Sequence, residues 1–169
     1  MANDAGEISA SGVLLPSLIS KKFTGKTASY TPADSSEGWY FKMTHVTDSS
    51  TDLIMGPIIS LKNSGVTVGS RPANAATDDE VKFLYIEHTG VDSLNSSAAE
   101  SVYIVFDGSA VANDTTHAIE IKDGQAWFGK VRCTVGDLHA IVGVANAGGA
   151  ASSQNVKLLV AAIIHDTSA

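Results

Sequence analysis

The sequence predicts an all-β protein, an antiparallel β-sandwich or jelly roll of about eight strands. Apolar and polar residues alternate over many short segments, which is the period of two that a half-buried strand imposes. Turn-forming Gly, Pro, Asp, Asn and Ser separate these segments, and no helical pattern extends beyond about two turns. Short strands with regular turn signals are typical of antiparallel sandwiches.

Composition predicts a soluble, acidic protein with one folded domain, residues 25–169, behind an N-terminal arm, residues 1–24. The net charge of −7 argues against nucleic acid and against anionic membrane surfaces, which both require a concentrated positive face. The longest apolar run, Leu158–Ile164, is too short to span a bilayer. The single cysteine, Cys133, and the lack of a secretory leader predict synthesis in a cytosol, with a packed thiol rather than a reactive one.

The N-terminal arm is small and polar over residues 1–12 and then becomes apolar, which predicts an extended docking element. Packing of the arm on its own domain is an equally open interpretation. A long loop, Asn63–Glu80, is a second candidate contact element, because loops of this length are often functional. The predicted interface residues of these two elements are Val13, Leu14, Leu15, Leu18, Ile19, Phe23, Val66, Val68 and Arg71.

The first strand of the domain, GWYFKMTHVT, has one apolar face. One face carries Tyr40, Lys42, Thr44 and Val46, and the opposite face carries Trp39, Phe41, Met43 and His45. After the loop Asp48–Asp52, the apolar stretch Leu53–Leu61 is interrupted by Gly56-Pro57, which predicts a bulge or an edge strand.

Two dense strands follow. In VKFLYIEHT, strict alternation places Val81, Phe83 and Tyr85 opposite Leu84 and Ile86. In SVYIVFDG, the residues on one face are Val102, Ile104 and Phe106, and Asp107-Gly108 marks the next turn.

The stretch Ala118–Val144 is interpreted as a β-meander at the centre of the fold. Asp123-Gly124 is predicted to close a hairpin with a type I′ turn, in which both central residues have positive φ. Ala126 and Phe128 are expected on one face of the returning strand and Trp127 on the other. Gly136-Asp137 precedes an inward row of Leu138, Ala140, Val142 and Val144, and the predicted core of the stretch is Ile119, Ile121, Phe128, Val142 and Val144.

The last strand is predicted to run from Val156 to His165. Its near-continuous apolarity indicates a central strand covered on both faces, or one buried against a neighbouring subunit.

Candidate chemistry is sparse. The histidines, His45, His88, His117, His139 and His165, are scattered singly without the His-x-His spacing of a strand-borne metal site. The acidic groups Asp48/Asp52 and Asp78-Asp79-Glu80 lack the EF-hand spacing, so solvated loop charge is the favoured interpretation. No nucleophile elbow or phosphate loop is present, so the sequence predicts no enzyme, no metal and no cofactor. Trp39 and Trp127 are expected to be core or interface anchors rather than sugar platforms.

The order of segments from Gly38 to His165 carries a resemblance. The WYFK strand is followed by the apolar strand broken at Gly56-Pro57, then by FLYIEHTG, VYIVFDG, AIEIKDGQAWFGKV, LHAIVGVANA and a closing VKLLVAAI. This pattern resembles the decoration or cement proteins and related minor capsid components of tailed bacteriophages. The resemblance implies a β-sandwich or jelly-roll protein on the capsid surface of a virion, made in the host bacterial cytoplasm. It further implies a homotrimer that binds the assembled major capsid protein shell and stabilises it.

A carbohydrate- or receptor-binding module, such as a phage fibre tip or a lectin, is the alternative. It predicts exposed aromatic residues clustered with Asp and Asn, whereas the capsid interpretation predicts that Trp39 and Trp127 are buried.

Overall fold

The computed structural model describes residues 6–14, 21–30, 37–56, 74–108, 118–143 and 155–167, the first two ranges by their strand pairing alone. The strands in these ranges are β1 Gly6–Leu14, β2 Lys21–Tyr30, β3 Glu37–Val46, β4 Thr51–Asp52, β5 Glu80–His88, β6 Val102–Val105, β7 Ile119–Ile121, β8 Ala126–Gly129, β9 Cys133–Thr134, β10 His139–Val142 and β11 Val156–His165. A 3₁₀ turn, Val135–Asp137, joins β9 to β10. None of the described helical structure is long and apolar enough to cross a bilayer.

Strands β3 to β11 form two antiparallel sheets. One has the order β4-β10-β6-β7, and the other has the order β3-β11-β5-β8, with β9 also paired to β5. The chain passes repeatedly from one sheet to the other, so sequence neighbours such as β5 and β6 lie in different sheets. The predicted all-β antiparallel class is confirmed, and the arrangement agrees with a β-sandwich. The jelly-roll connectivity stays a prediction.

Both sheets contribute inward side chains to one hydrophobic core, as a sandwich requires. The two-residue strand β4 is followed by Leu53 and Ile54, which are both buried in this core. The other large apolar members are Tyr40, Val46, Val81, Leu84, Ile86, Val102, Ile104, Ile121, Val135, Leu138, Val142, Val156, Leu158, Val160 and Ile164.

Strand β11 is the centre of the five-stranded sheet, as its apolarity predicts. It begins at Val156 and ends at His165, the predicted bounds, and it pairs with β3 on one side and β5 on the other. Its core-facing residues alternate with outward ones, and the outward Ile163 is also fully buried.

A bulge in β5 changes the predicted alternation. Ile163 and Ile164 of β11 pair with Phe83 and Val81, so Lys82 is left outside the ladder. The extra residue reverses the faces, and Val81 joins Leu84 and Ile86 in the core instead of lying beside Phe83. The prediction was wrong for Val81 because strict alternation assumes an unbroken ladder.

The predicted meander at Ala118–Val144 is also wrong in its pairing. Strand β7 pairs with β6 in one sheet, while β8 pairs with β5 in the other, so the turn between them is a corner between sheets. Gln125 N–H bonds to the Lys122 carbonyl at 2.9 Å, and Gly124 alone of the two central residues has positive φ, +70°. This is the pattern of a type II turn rather than type I′.

The two aromatic residues of β8 occupy faces with different burial. Trp127 packs against the core and lies 5.4 Å from Phe106, ring centre to ring centre, whereas Phe128 is half-buried on the opposite face. Phe128 was therefore wrongly assigned to the core. The inward row of Leu138, Ala140 and Val142 is confirmed, and Val144 lies outside the described residues.

The N-terminal segment forms an antiparallel pair of strands, β1 and β2. Their register runs from Gly6 opposite Tyr30 to Leu14 opposite Lys21, with one irregularity between Ala10 and Gly12. The predicted boundary between residues 24 and 25 falls inside β2.

Candidate functional site

Among the described residues, one surface stands out, the side of the five-stranded sheet that points away from the core. We call it the outer face. It consists of the residues that alternate with the core-facing ones in β3, β5, β8 and β11. Its apolar members are Trp39, Phe41, Met43, Phe83, Tyr85, Ala126, Phe128, Leu159, Ala161 and Ile163.

The register of the strands makes this surface continuous. Ile163 stands opposite both Trp39 and Phe83. Ala161 stands between Phe41 and Tyr85, and Tyr85 is opposite Phe128. Directly opposed residues of antiparallel strands have Cβ atoms about 4.5–5.5 Å apart, so these side chains form contiguous rows.

Exposure along the outer face rises toward β3. Ile163 and Phe83 are at most 1% exposed, Trp39 is half-buried, and Phe41 and Met43 are 61% and 41% exposed. The apolar side of β3 seen in the sequence is therefore the outer one, and its core-facing residues are Tyr40, Thr44 and Val46. Large exposed apolar side chains in a row are typical of interaction surfaces.

Tyr85 places a polar group within this apolar surface. Its hydroxyl donates a hydrogen bond to Glu87 Oε2 at 2.7 Å. Burial raises the pKa of Tyr85 to about 12, and the hydrogen bond to Glu87 adds to this shift. The phenol is neutral at physiological pH, and its donor is already committed to a protein acceptor.

His88 is a structural residue. It is 1% exposed, its Nδ1 accepts the Gly90 N–H at 3.0 Å, and its Nε2 lies 2.8 Å from the Glu100 carbonyl oxygen. The proton therefore lies on Nε2, which donates to Glu100. Both ring nitrogens are used, so neither can ligate a metal without loss of these contacts.

The other described histidines lie on three different strands, β3, β10 and β11. His139 Nδ1 lies 2.9 Å from Asp52 Oδ1 without hydrogen-bond geometry, so the contact is electrostatic and operates when the ring is protonated. His165 Nδ1 lies 3.9 Å from Glu37 Oε1, and His45 is exposed on β3. His117 lies outside the described residues.

The interpretation of Asp78-Asp79-Glu80 as solvated charge is wrong for Asp79, which is buried. Asp79 is 2% exposed, and its carboxylate accepts the backbone N–H groups of Ala76 and Thr167. Glu80 forms an ion pair with Lys82. In the part of the chain that the structure describes, no cluster of three or more His, Cys, Asp or Glu side chains could hold a metal ion.

Three of the predicted interface residues lie in the paired strands β1 and β2. Val13 and Leu14 lie in β1, opposite Lys22 and Lys21, and Phe23 lies in β2 opposite Gly12. The remaining ones, Leu15, Leu18, Ile19, Val66, Val68 and Arg71, lie outside the described residues.

Sequence reasoning did not assign the outer face as a candidate site. The sequence does show that Trp39, Phe41 and Met43 share one face of β3. It does not show which face points inward, because the opposite face of β3 also carries Tyr40 and Val46. The contrast between the faces is incomplete, because His45 lies on the more apolar face while Lys42 and Thr44 lie on the other.

Comparisons with protein-family models, with curated proteins and with solved structures found no match to this chain.

Proposed function

We propose that this chain is a non-enzymatic virion structural protein, a capsid decoration or cement protein that binds the assembled shell of a major capsid protein. The observation that carries the proposal is the outer face, on which Phe41 and Met43 are exposed to solvent beside Trp39. Such a surface gains free energy when a partner covers it, about 25 cal/mol per Å² of apolar area removed from water. In this proposal the protein acts on the capsid surface as a homotrimer.

The proposed mechanism is stabilisation by mass action. A protein that binds only the assembled shell, and not its separated subunits, lowers the free energy of the assembled state. The rigid sheet suits this role, because β3 is held by β11 along its whole length and presents its row without an ordering cost. Contacts through the N-terminal strands and through residues 63–80 remain part of the proposal.

The second candidate function is a carbohydrate- or receptor-binding module. Four aromatic residues that are at least partly exposed on the outer face, Trp39, Phe41, Tyr85 and Phe128, favour it, since aromatic faces stack on sugar rings. Sugar recognition also needs polar groups around the ring. The residues between these aromatics are Ala161 and Ile163, and the Tyr85 hydroxyl is bonded to Glu87, which favours a protein partner.

Co-sedimentation tests the proposal. The full chain is mixed with capsids of the virus whose genome encodes it, and the fraction that sediments with the capsids is measured. Phe41→Ser and Met43→Ser are expected to weaken binding. Met55→Ser is the matched control, because Met55 is 52% exposed but follows β4 in the other sheet. Failure of the wild-type chain to sediment with particles refutes the proposal, and saturable tryptophan quenching by sugars supports the second candidate instead.

A further inference from the structure

A cleft of about 820 Å³ opens at the edge of the five-stranded sheet. It lies beside the two strands that share β5 as a partner, β8 and β9. The residues that line it are Glu80, Val81, Lys82, Lys130, Val131, Arg132, Cys133, Thr134 and Asp137. Its volume is in the range of small-molecule sites, about 300–1,000 Å³. We call it the basic cleft.

The basic cleft arises from a mismatch between two ladders. Residues 84–87 of β5 pair with β8, and residues 80–81 pair with β9. Between the two ladders, residues 130–132 stand opposite residues 82–83, three residues against two. The unequal lengths take residues 130–132 out of the ladder, and such irregularities recur where a sheet edge forms a binding site.

The charge of the basic cleft contrasts with that of the chain. Three cations, Lys82, Lys130 and Arg132, line it in a protein of net charge −7. Two carboxylates, Glu80 and Asp137, line it as well, so the lining carries one net positive charge, three cations against two anions. Glu80 pairs with Lys82, whose hydrogen bond lowers the pKa of Glu80, and Asp137 Oδ2 accepts the Thr134 N–H at 3.0 Å.

The floor of the basic cleft is apolar. Val81 and Cys133 belong to the core, and Val131 packs against it. Burial raises the pKa of the Cys133 thiol to about 11, so the thiol is neutral at physiological pH and adds no negative charge. A cationic rim over an apolar floor is complementary to a molecule that joins an anionic group to an apolar body.

We propose that the basic cleft binds an organic oxyanion, a carboxylate or phosphate group attached to a short apolar body. Arg132 is the principal partner of the oxyanion, because the planar guanidinium can donate two parallel hydrogen bonds to it. Lys130 contributes charge, and the partly buried Val131 contacts the apolar body. The proposal is independent of the capsid proposal, since it concerns the sheet edge at β8 and β9 rather than the exposed row on β3.

Amide chemical shifts of the full chain, titrated at pH 7, test the proposal. The probes are sodium hexanoate and sodium phosphate, with sodium chloride at matched ionic strength as the reference. Saturable shifts confined to residues 80–82 and 129–134 are expected. Saturation by hexanoate assigns the site to a carboxylate on an apolar body, and saturation by phosphate assigns it to a phosphate group. Shifts that stay linear with both probes, or that chloride reproduces, overturn the proposal and leave the cations as charges that protect a sheet edge.

Variants of the exposed cations sharpen the test. Arg132→Gln is expected to weaken probe binding about tenfold, the size expected for loss of a charged hydrogen bond. Arg132→Lys, which keeps the charge but loses the fork, should bind with intermediate affinity. Lys122→Gln removes an exposed cation from the turn before β8 and should bind as the wild type does. Equal affinity of Arg132→Gln and the wild type overturns the proposal.

Discussion

The buried carboxylate of Asp79 accepts a hydrogen bond from the backbone N–H of Thr167, 88 residues further along the chain, with Oδ1 and N 3.1 Å apart. The same carboxylate accepts the Ala76 N–H through Oδ2 at 2.9 Å. Asp79 therefore joins the turn before β5 to the segment that follows β11. Its role is structural, since one buried side chain satisfies two backbone donors from segments that are far apart in the sequence.

Replacement of Asp79 by Asn tests this role. The Asn amide has one acceptor oxygen and one donor nitrogen, so it would place an N–H group against one of the two backbone N–H groups. We expect the free energy of unfolding to fall by about 1–3 kcal/mol. Urea denaturation measures the change. Asp78→Asn is the control, since Asp78 is exposed, and equal effects of the two substitutions would contradict the assignment.

Two glycines with similar φ angles allow the cost of backbone strain to be separated from the cost of a steric collision. Gly90 and Gly124 have φ of +74° and +70°, but a Cβ at Gly90 would collide with the Asp123 carboxylate, whereas one at Gly124 meets nothing within 4 Å. Gly124→Ala should cost about 1 kcal/mol for the strained backbone alone. Gly90→Ala should cost more, and Asp123→Ala should recover part of the difference in a double-mutant cycle of denaturation midpoints. No recovery would show that the collision is not the cause.

The two aromatic residues of β8 should differ in their contribution to stability. Trp127 packs against the core and against Phe106, so Trp127→Ala should cost about 3 kcal/mol, the low end for a large aromatic because the side chain is half-buried. Phe128→Ala, on the outer face, should cost clearly less. Chemical denaturation measures both, and a cost below about 1 kcal/mol for Trp127→Ala would place it on the surface.

We expect the folded protein to lose stability in alkaline solution because of the buried thiol of Cys133. Burial, with the Asp137 carboxylate as the second cause, raises the thiol pKa from 9.0 to about 11. The raised pKa favours the folded state while the thiol is protonated, so this stability is fully present below pH 9 and is lost as the pH rises to 11, by at most about 3 kcal/mol. Denaturation midpoints at pH 8 and pH 11 measure the loss. Cys133→Ala should show a smaller loss and keep the contribution of Tyr85, whose pKa is about 12; equal losses would contradict the prediction.

The N-terminal strands offer a test of domain organisation. No described ladder of β3 to β11 includes β1 or β2, so removal of residues 1–30 should leave both sheets folded. A cut after residue 24 would instead divide β2. Circular dichroism and the denaturation midpoint of the shortened chain measure the outcome. Retained stability with weaker sedimentation on particles supports a docking role, while unfolding would show that these strands belong to the domain.

Much of the fold could be predicted from local pattern. The bounds of β11 followed from its uninterrupted apolar residues, and the inward row of Leu138, Ala140 and Val142 followed from alternation. These features depend on residues within one strand, where the period of two is directly visible in the sequence.

The errors concern relations between strands. Asp123-Gly124 identifies a turn, but the same dipeptide serves a hairpin or a corner between sheets, and only the partners of β7 and β8 distinguish them. The bulge at Lys82 depends on the register against β11. The basic cleft joins Lys82 to Lys130 and Arg132 across two ladders, and no local pattern connects them.

The position of β11 at the centre of the sheet also determines when the sheet can form during synthesis. Strands β3 and β5 are synthesised well before β11. They do not pair with each other, because β11 lies between them and pairs with both. Until Val156–His165 has emerged, the nascent chain holds two long strands with unpaired edges and uncovered apolar side chains. The five-stranded sheet can therefore close only after β11 has been translated, and until then the unpaired edges of β3 and β5 are open to aggregation.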